Sequence, residues 1–381
     1  IFVASLNLFI ALYFLIRGRK EMPVFLFILG VPLVLLFITA SLYHKKIEDY
    51  VYKAYIGHFA TYQLMDYGQL PEHIREETIK PYVKVIEQFF TPYQWVAYLS
   101  TKPHKDHPTY PYITEDKHAI LLDNVKQMLH GEWDQKYVDT VTMMGLSFVR
   151  GDNLKIAVAG DGDTQHVERL LQYERVAHVD HIDIDKDFKQ YMLNHPLYGQ
   201  HINQAHHDER LDNHYEDAFK FFRKNMATGE KYDVIHLAFS HLRNFKTLHL
   251  FSEEFFTTVK YSLKPGGVFV TWVYTVEDFF TPYLATVKKA GFNYFTMVRE
   301  YDYEKNHPGR SVLTFSDDPL RAERFSEMNA YQDKIFNNIH DPTKVPYTET
   351  AKPNSIFLPN YDMVFDYYKN HTTHPFFVND D

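Results

Sequence analysis

From residue 154 onward the chain alternates two hydrophobic rhythms. Short apolar runs ("KIAVA", "VDHIDI", "YDVIHLAF", "GVFVTWVY", "YFTMVREY" and "SVLTFS") have the length and β-branched content of strands. Between them, "QHVERLLQY", "EDAFKFFRKNM" and "SEEFFTTVKYSL" space their apolar residues three and four apart, which predicts helices. The last of these stops at "KPGG", a helix end followed directly by a strand. Strands alternating with helices predict a doubly wound parallel sheet over residues 151–317. Upstream, "YQWVAYLS" and "HAILLDN" have strand composition and are joined by the Pro- and His-rich "TKPHKDHPTYPYITEDK", so residues 91–150 are expected to form a small β-rich domain. "PEHIREETIKPYVKVIEQFF" places its charges early and its apolar residues at helical spacing, and residues 44–90 read as a helical linker. Residues 318–381 read as an irregular tail with an apolar patch, "SIFLPNYDMVFDYY", expected to pack on the domain.

Residues 1–16 and 22–43 follow neither rhythm, because they are apolar almost throughout and carry no charge. The second run is long enough to span a bilayer; the first is slightly short and begins at Ile1 inside the run, so further residues are expected before it. With only "RGRKE" between them, residues 1–43 are expected to form two antiparallel transmembrane helices rather than a signal peptide and one anchor. Arg17, Arg19 and Lys20 on one side balance Lys45, Lys46 and Lys53 on the other, so basic residues do not fix the orientation.

Composition narrows the chemistry. The absence of cysteine excludes a disulfide framework, a thiolate zinc site and a cysteine nucleophile. A net charge of −9 argues against a nucleic-acid partner. Aromatic residues at 17% fit either membrane contact or a broad buried interface.

The most informative stretch is "AVAGDGDTQHV", directly after the first strand of the alternating region. Ligands of open α/β sheets sit at the carboxyl ends of strands. Gly160 and Gly162 allow a tight turn and close backbone approach there. A dinucleotide loop would carry a third glycine and leave the helix start free for pyrophosphate, whereas Asp161 and Asp163 would repel a phosphate. An acidic loop instead fits a ligand that is cationic nearby, such as S-adenosylmethionine or its decarboxylated form, each with a sulfonium and an amine. Asp183, 23 residues past Gly160, stands where a carboxylate accepts ribose hydroxyls. Asp217, in "YEDAF", precedes a helix near the end of the third strand and suits an adenine amino group. Each acid also has a plain structural reading: Asp163 and Asp217 as helix caps, Asp183 as a solvated strand end.

The ordered blocks "TPYQWV", "ILLDNVKQ", "IAVAGDGD", "HIDID", "EDAF", "YDVI", "LKPGGV" and "IFLP", over residues 91–366, resemble spermidine synthase and the wider polyamine aminopropyltransferases. The resemblance implies a Rossmann-like, class I methyltransferase-like domain behind a small β domain used for lid contacts and oligomer formation. It implies decarboxylated S-adenosylmethionine or S-adenosylmethionine as substrate and a role in polyamine biosynthesis. It places Gln94, Gly160 and Gly162 against the nucleoside, Asp163 on its amine, Asp183 on the ribose and Asp217 on the adenine. Bacterial relatives with membrane-spanning N-terminal extensions make an inner-membrane protein with a cytoplasmic domain the expected setting.

The resemblance breaks on the polyamine side. The family carries Asp-x-x-Asp-Pro after the fourth strand; aligned on Asp233, this chain has Ala238 and His241 there. The family's glutamine after "GGVFVT" becomes Trp272, and its later substrate tyrosine falls near Asn306, close to Tyr303. The block "EWDQKYVDT" keeps Tyr137 as the counterpart of a family tyrosine. His241 and Tyr137 are the remaining candidates for acid–base work, although His241, with no visible partner, reads more simply as a polar loop residue. Glu253, Glu254, Glu277 and Asp278 are candidates to rebuild an acidic pocket. Metal ligation is not expected, because His178 and His181 on a strand point to opposite faces and the pair His206–His207 has the same problem. Two readings stand: a membrane-anchored aminopropyltransferase with weak or altered activity, or a non-catalytic pseudoenzyme serving as a subunit of a membrane assembly or as a homo-oligomer.

Overall fold

The computed structural model of the protein describes residues 83–101, 117–123, 125–129, 132–239, 245–274, 277–299, 310–337 and 351–361, with positions 43, 46, 242, 339, 343, 344 and 363. Among these, no helix is long and apolar enough to cross a membrane. The apolar runs at 1–16 and 22–42 and nearly all of residues 44–82 lie outside the described residues.

Strands β1 (Val83–Phe90), β2 (Trp95–Thr101), β3 (Lys117–Leu122) and β4 (Val125–Leu129) form an antiparallel sheet in sequential order. β1 corrects the expected helix over its part of "KPYVKVIEQFF". A β-bulge between Val85 and Glu87 adds a residue to the strand, and Ile86 at the bulge is exposed. The bulge breaks strict alternation, so the apolar positions of this strand mimic helical spacing. Val85 packs with Trp95, Ala97, Leu99 and Leu121 on one face. Phe89 joins Val96, Tyr98 and Ile120 on the other, against Phe188 and Met192 of the larger domain.

The larger sheet has eight strands in the order β12-β10-β11-β9-β8-β5-β6-β7. β5 (Leu154–Gly160), β6 (Val176–Ile182), β7 (Leu211–His214), β8 (Tyr232–Ala238) and β9 (Leu263–Tyr274) are parallel, doubly wound outward from β5. β11 (Arg310–Ser316) pairs antiparallel with β9, β10 (Tyr294–Arg299) with β11, and β12 (Thr343–Lys344) with β10. The sheet is therefore mixed, not parallel throughout as expected, because β11 lies between β9 and β10 and runs antiparallel to both.

Helices cover both faces. α1 (Glu132–Leu146), α2 (Gln165–Leu171), α3 (Lys186–Leu193) and α4 (Gly199–His206) precede α5 (Ala218–Thr228), α6 (Glu253–Tyr261), α7 (Glu277–Lys289) and α8 (Ala330–Phe336). On one face Phe222 and Phe255 to Phe256 pack with Phe269, Tyr283, Phe292 and Phe315, the Phe269 and Phe315 rings stacked 4.7 Å apart. Much of the aromatic content is thus buried core. On the other face α1 and α2 pack on Ile156, Val158, Val234 and Val270. α8, in a segment read as irregular, starts at a capping box between Asn329 and Gln332 and bonds through Gln332 to the Tyr173 hydroxyl. The tail docks through buried Asn354, whose amide donates to the carbonyls of Leu248 and Phe251 at 3.0 Å.

Candidate functional site

The sheet reverses its winding between β5 and β8, and open sheets of this kind hold ligands outside the carboxyl ends of the strands at that point. Gly160 (φ 86°) ends β5 opposite Ala238; a Cβ on it would lie 2.8 Å from the Ala238 carbonyl oxygen. A Cβ on Gly162 would lie 2.8 Å from the Phe188 ring and 3.2 Å from Asp183 Oδ2. Both glycines are thus needed by close packing of the loop on its neighbours.

The acidic loop owes its shape to Asp161. Its Oδ1 accepts from the backbone N–H of His166 (3.3 Å) and lies 3.0 Å from His166 Nδ1, while Oδ2 accepts from the N–H of Val167 (3.1 Å). These are first-turn amides of α2, the donors that a pyrophosphate would use in a dinucleotide loop. A protein carboxylate occupies them here, which explains an acidic loop in this position. Burial pushes the Asp161 carboxyl up, but the His166 charge and hydrogen bond, with His181, outweigh it and hold it well below the usual carboxylate range. Asp163 is partly buried, and its Oδ1 and Oδ2 accept from Gln165 N (3.4 Å) and Gln165 Nε2 (3.3 Å).

Asp183 follows the last residue of β6, beside Gly162. Its Oδ1 accepts from the Asp185 N–H at 2.7 Å. Burial, reinforced by the Asp185 and Asp161 charges and opposed by that N–H and by Lys189, pushes its pKa up to about 6. Asp185 caps α3 through the Phe188 N–H (3.0 Å), and its Oδ2 accepts from the Thr91 hydroxyl (2.6 Å) and the Gln94 amide (2.8 Å). Gln94, expected against a nucleoside, lies beside the loop after β6 and donates one amide N–H to Asp185. The sequence reading missed Asp185, although Asp before "KDFKQYML" is a recognisable N-cap.

Asp217 caps α5: Oδ1 accepts from the Lys220 N–H at 2.9 Å. Its Oδ2 pairs with His249 Nε2 at 3.2 Å, and this hydrogen bond lowers the Asp217 pKa and raises that of His249. The capping role and a ligand role compete for the same carboxylate, and an adenine amino group would share Oδ2 with His249.

On the acceptor side, Ala238 ends β8, and Ala238 and Trp272 each lie one residue beyond the paired Leu237 and Thr271. Tyr137, on α1, packs its ring edge-on against His166 (5.3 Å) and Trp272 (6.2 Å). Beneath it, fully buried His236 lies near His166, and burial depresses its pKa to about 3. His241 lies outside the described residues, as do Tyr303 and Asn306. The expected replacement acids are engaged elsewhere: Glu253 pairs with Lys289 at 2.7 Å, and Glu254 accepts from the Ser355 hydroxyl and the Ile356 N–H. Glu277 and Asp278 open α7, and their side chains lie outside the described set.

The histidines of "HVDH" do face opposite ways. His178 Nε2 lies 3.3 Å from Asp180 and 3.8 Å from Asp212, and these three residues hold donor atoms within 4.8 Å of one another. Asp180 is already satisfied by the Tyr232 hydroxyl (2.9 Å), His214 (2.6 Å) and the Lys155 ammonium (3.5 Å), which accounts for the cluster without an ion. His181 points to the other side, its Nε2 donating to the Gly160 carbonyl at 2.9 Å.

A Rossmann-like mixed sheet, a small antiparallel sheet ahead of it and an acid-lined glycine loop define the class of protein. Residues 135–303 match the family described as spermine/spermidine synthase domain. The chain is 26% identical over 195 residues to polyamine aminopropyltransferase 2 of Aquifex aeolicus, covering 50% of this chain and 38% of that protein. It is 28% identical over 158 residues to a polyamine aminopropyltransferase of Prochlorococcus marinus, covering 40% and 54%. It therefore spans about half or less of the length of these relatives. Among solved structures it is similar to spermidine synthase from Thermotoga maritima, with 17% identity, a TM-score of 0.46, and coverage of 69% of this chain and 80% of that one. A spermidine synthase in complex with the transition-state analogue AdoDATO gives 17% identity, a TM-score of 0.49, and coverage of 69% and 81%.

The two loop acids separate experimentally. Asp161→Ala removes a buried acceptor of three hydrogen bonds and is expected to lower unfolding free energy by about 2–4 kcal/mol. Asp163→Ala, at a partly exposed position, is expected to stay within about 1 kcal/mol. Urea unfolding of the two variants checks this; equal losses would contradict the assignment of Asp161 as the loop's internal cap.

Proposed function

We propose that the chain binds an adenosyl sulfonium, decarboxylated S-adenosylmethionine or S-adenosylmethionine, or the derived thioether methylthioadenosine, over the carboxyl ends of β5, β6 and β7. Asp183 takes the ribose hydroxyls, Asp163 the ligand amine and Asp217 the adenine edge. The observation that carries this reading is the loop itself: Asp161 fills the α2 amides that would bind phosphate, and Asp163 and Asp183 remain beside it. The spermine/spermidine synthase domain match over residues 135–303 supports the same choice.

Asp183 makes the binding pH-dependent. Hydroxyl donation from ribose requires the carboxylate, so affinity is present above pH 6 and is lost as pH falls through it. Methylthioadenosine should bind about tenfold more weakly at pH 5 than at pH 7. Asp183→Asn should flatten this profile, and Asp183→Ala should cost about 1.5–3 kcal/mol of binding. Isothermal calorimetry tests it; no binding of any of the three nucleosides at millimolar concentration would remove the proposal.

Aminopropyl transfer is proposed to be weak or altered. The acceptor amine must lose a proton as its lone pair attacks the aminopropyl carbon and the C–S electron pair passes to sulfur, releasing methylthioadenosine. The Ala238 methyl cannot take that proton, and Trp272, one residue beyond the Thr271 that pairs with Leu237, sets its ring against that of Tyr137. A positioned base contributes about 10²–10⁴ in rate, so putrescine turnover should fall at least about a hundredfold below that of an ordinary spermidine synthase. Ala238→Asp should raise it in part, and Ala238→Asp with His241→Asp should raise it further. Methylthioadenosine release with putrescine is the measurement. Brisk release by the unaltered chain would point to a working enzyme using His241 or Tyr137. The same Ala238 and Trp272 favour the second reading, a pseudoenzyme kept as an accessory subunit.

We place the domain at the bacterial inner membrane, facing the cytoplasm where nucleoside sulfoniums are made, with residues 1–43 as the anchor. Removing those residues should release the remainder from the membrane fraction on centrifugation; retention there would put the anchor elsewhere.

A further inference from the structure

Lysine rarely sits inside a domain, yet Lys189 on α3 is fully buried. Its Nζ lies 3.0 Å from His181 Nδ1 and 3.3 Å from Asn213 Oδ1. The imidazole donates from Nε2 to the Gly160 carbonyl, so Nδ1 is an acceptor, and Asn213 Oδ1 is another, 3.2 Å from it. A nitrogen with at least two N–H groups must bridge them. A neutral amine and an ammonium both meet that demand, so the proton can leave without breaking the network. Lys189 is therefore tied through one imidazole to the first glycine of the acidic loop.

The groups that face it come from four elements. Asp161 and Asp163 lie in the loop after β5, His181 on β6, Asp183 just after β6, and His206 on α4. Its two hydrogen-bond partners are neutral, while its charge is offset at a distance by the three carboxylates. We propose that Lys189 is a specificity-determining residue: a titratable positive charge behind the acidic loop that sets how far the site prefers a cationic over a neutral nucleoside. This rests on the nucleoside reading above. A sulfonium bound at the loop faces Asp163 and Asp183 with an ammonium behind them, so its arrival drives the Lys189 proton off. A thioether product carries no such charge and leaves the lysine unchanged.

The sign follows from linkage. Burial, partly offset by the Asp161, Asp183 and Asp163 charges, depresses the Lys189 pKa to about 8. A cationic ligand depresses it further, the complex holds fewer protons than the free protein, and cation affinity rises as pH rises toward and through 8. Asp183 at about 6 and His181 at about 4 have finished titrating below this window. His249, raised by its bond to Asp217, loses its charge above its ordinary value and adds a contribution that does not depend on Lys189.

The test compares decarboxylated S-adenosylmethionine, whose amine stays charged to pH 9, with methylthioadenosine, using calorimetry on the full chain at pH 7, 8 and 9. For the unaltered protein, affinity for the cation should rise about three- to tenfold across the range, and that for the thioether should change less than about twofold. Lys189→Met should bind the cation about as much tighter at pH 7 and lose most of the pH slope. Should that variant not fold, the unaltered protein measured in two buffers of different ionisation heat should release protons near pH 8 with the cation and none with the thioether. An equal pH response to both nucleosides, or a slope preserved in Lys189→Met, overturns the proposal while leaving the nucleoside site standing. Binding of neither nucleoside overturns the site and the proposal together.

Discussion

The carboxylate of Asp161, holding the first amides of α2 and the His166 ring, is the constraint on which the candidate site depends. An anion seated at these amides is favoured by the helix terminus itself. Because the anion belongs to the chain, the amides that a phosphate would use are already bonded, and Asp183 lies beside the loop. The neighbours adapt to a buried negative charge: His181 holds the Gly160 carbonyl, and Lys189 stands behind His181. The small sheet is secured to the same region, because Thr91 and Gln94 both donate to Asp185 at the start of α3. Loop, helix starts and small domain thus form one bonded unit around Asp183.

The two halves of the site differ in kind. At the nucleoside side, polar groups are numerous and mutually satisfied, and Asp183 keeps a raised pKa because burial outweighs the N–H it accepts. Toward β8 and β9, the last residue of β8 offers a methyl group, and Tyr137, Trp272, His166 and His236 form a chain of ring contacts. Beside these rings stands the carboxylate of Asp161, which is spent on His166 and the first amides of α2. Fold alone does not fix a reaction, which rests on the side chains placed at the site.

Much of this was legible in the sequence. The strands β5, β6, β8, β9, β10 and β11 show as apolar runs because each is buried in the sheet, and Gly160, Gly162, Asp163 and Asp183 were singled out by order and spacing. β7 was harder, since "LDNH" has one apolar residue and owes its place to pairing with β6. β1 hid behind its bulge. Burial of polar groups was not legible: nothing in the sequence marks Lys189, Asp161 and His236 as buried, and only tertiary contact shows that two of them are bonded into the loop and one is sealed under α1, where a Cβ on Gly145 would lie 2.7 Å from its Nε2. The double duty of Asp217 was half visible, as its N-cap position was evident and its bond to His249, 32 residues away, was not.

The central claim is that a nucleoside, not a phosphate-led dinucleotide, occupies the acidic glycine loop. A crystal structure of the chain grown with methylthioadenosine tests it most directly. The account predicts the ribose hydroxyls on Asp183, the thioether over Gly160 to Asp163, the adenine beside Asp217, and Asp161 still bonded to His166 and Val167. A nucleoside seated away from Asp183, or a loop in which Asp161 has swung off α2 to admit an anion, would contradict it.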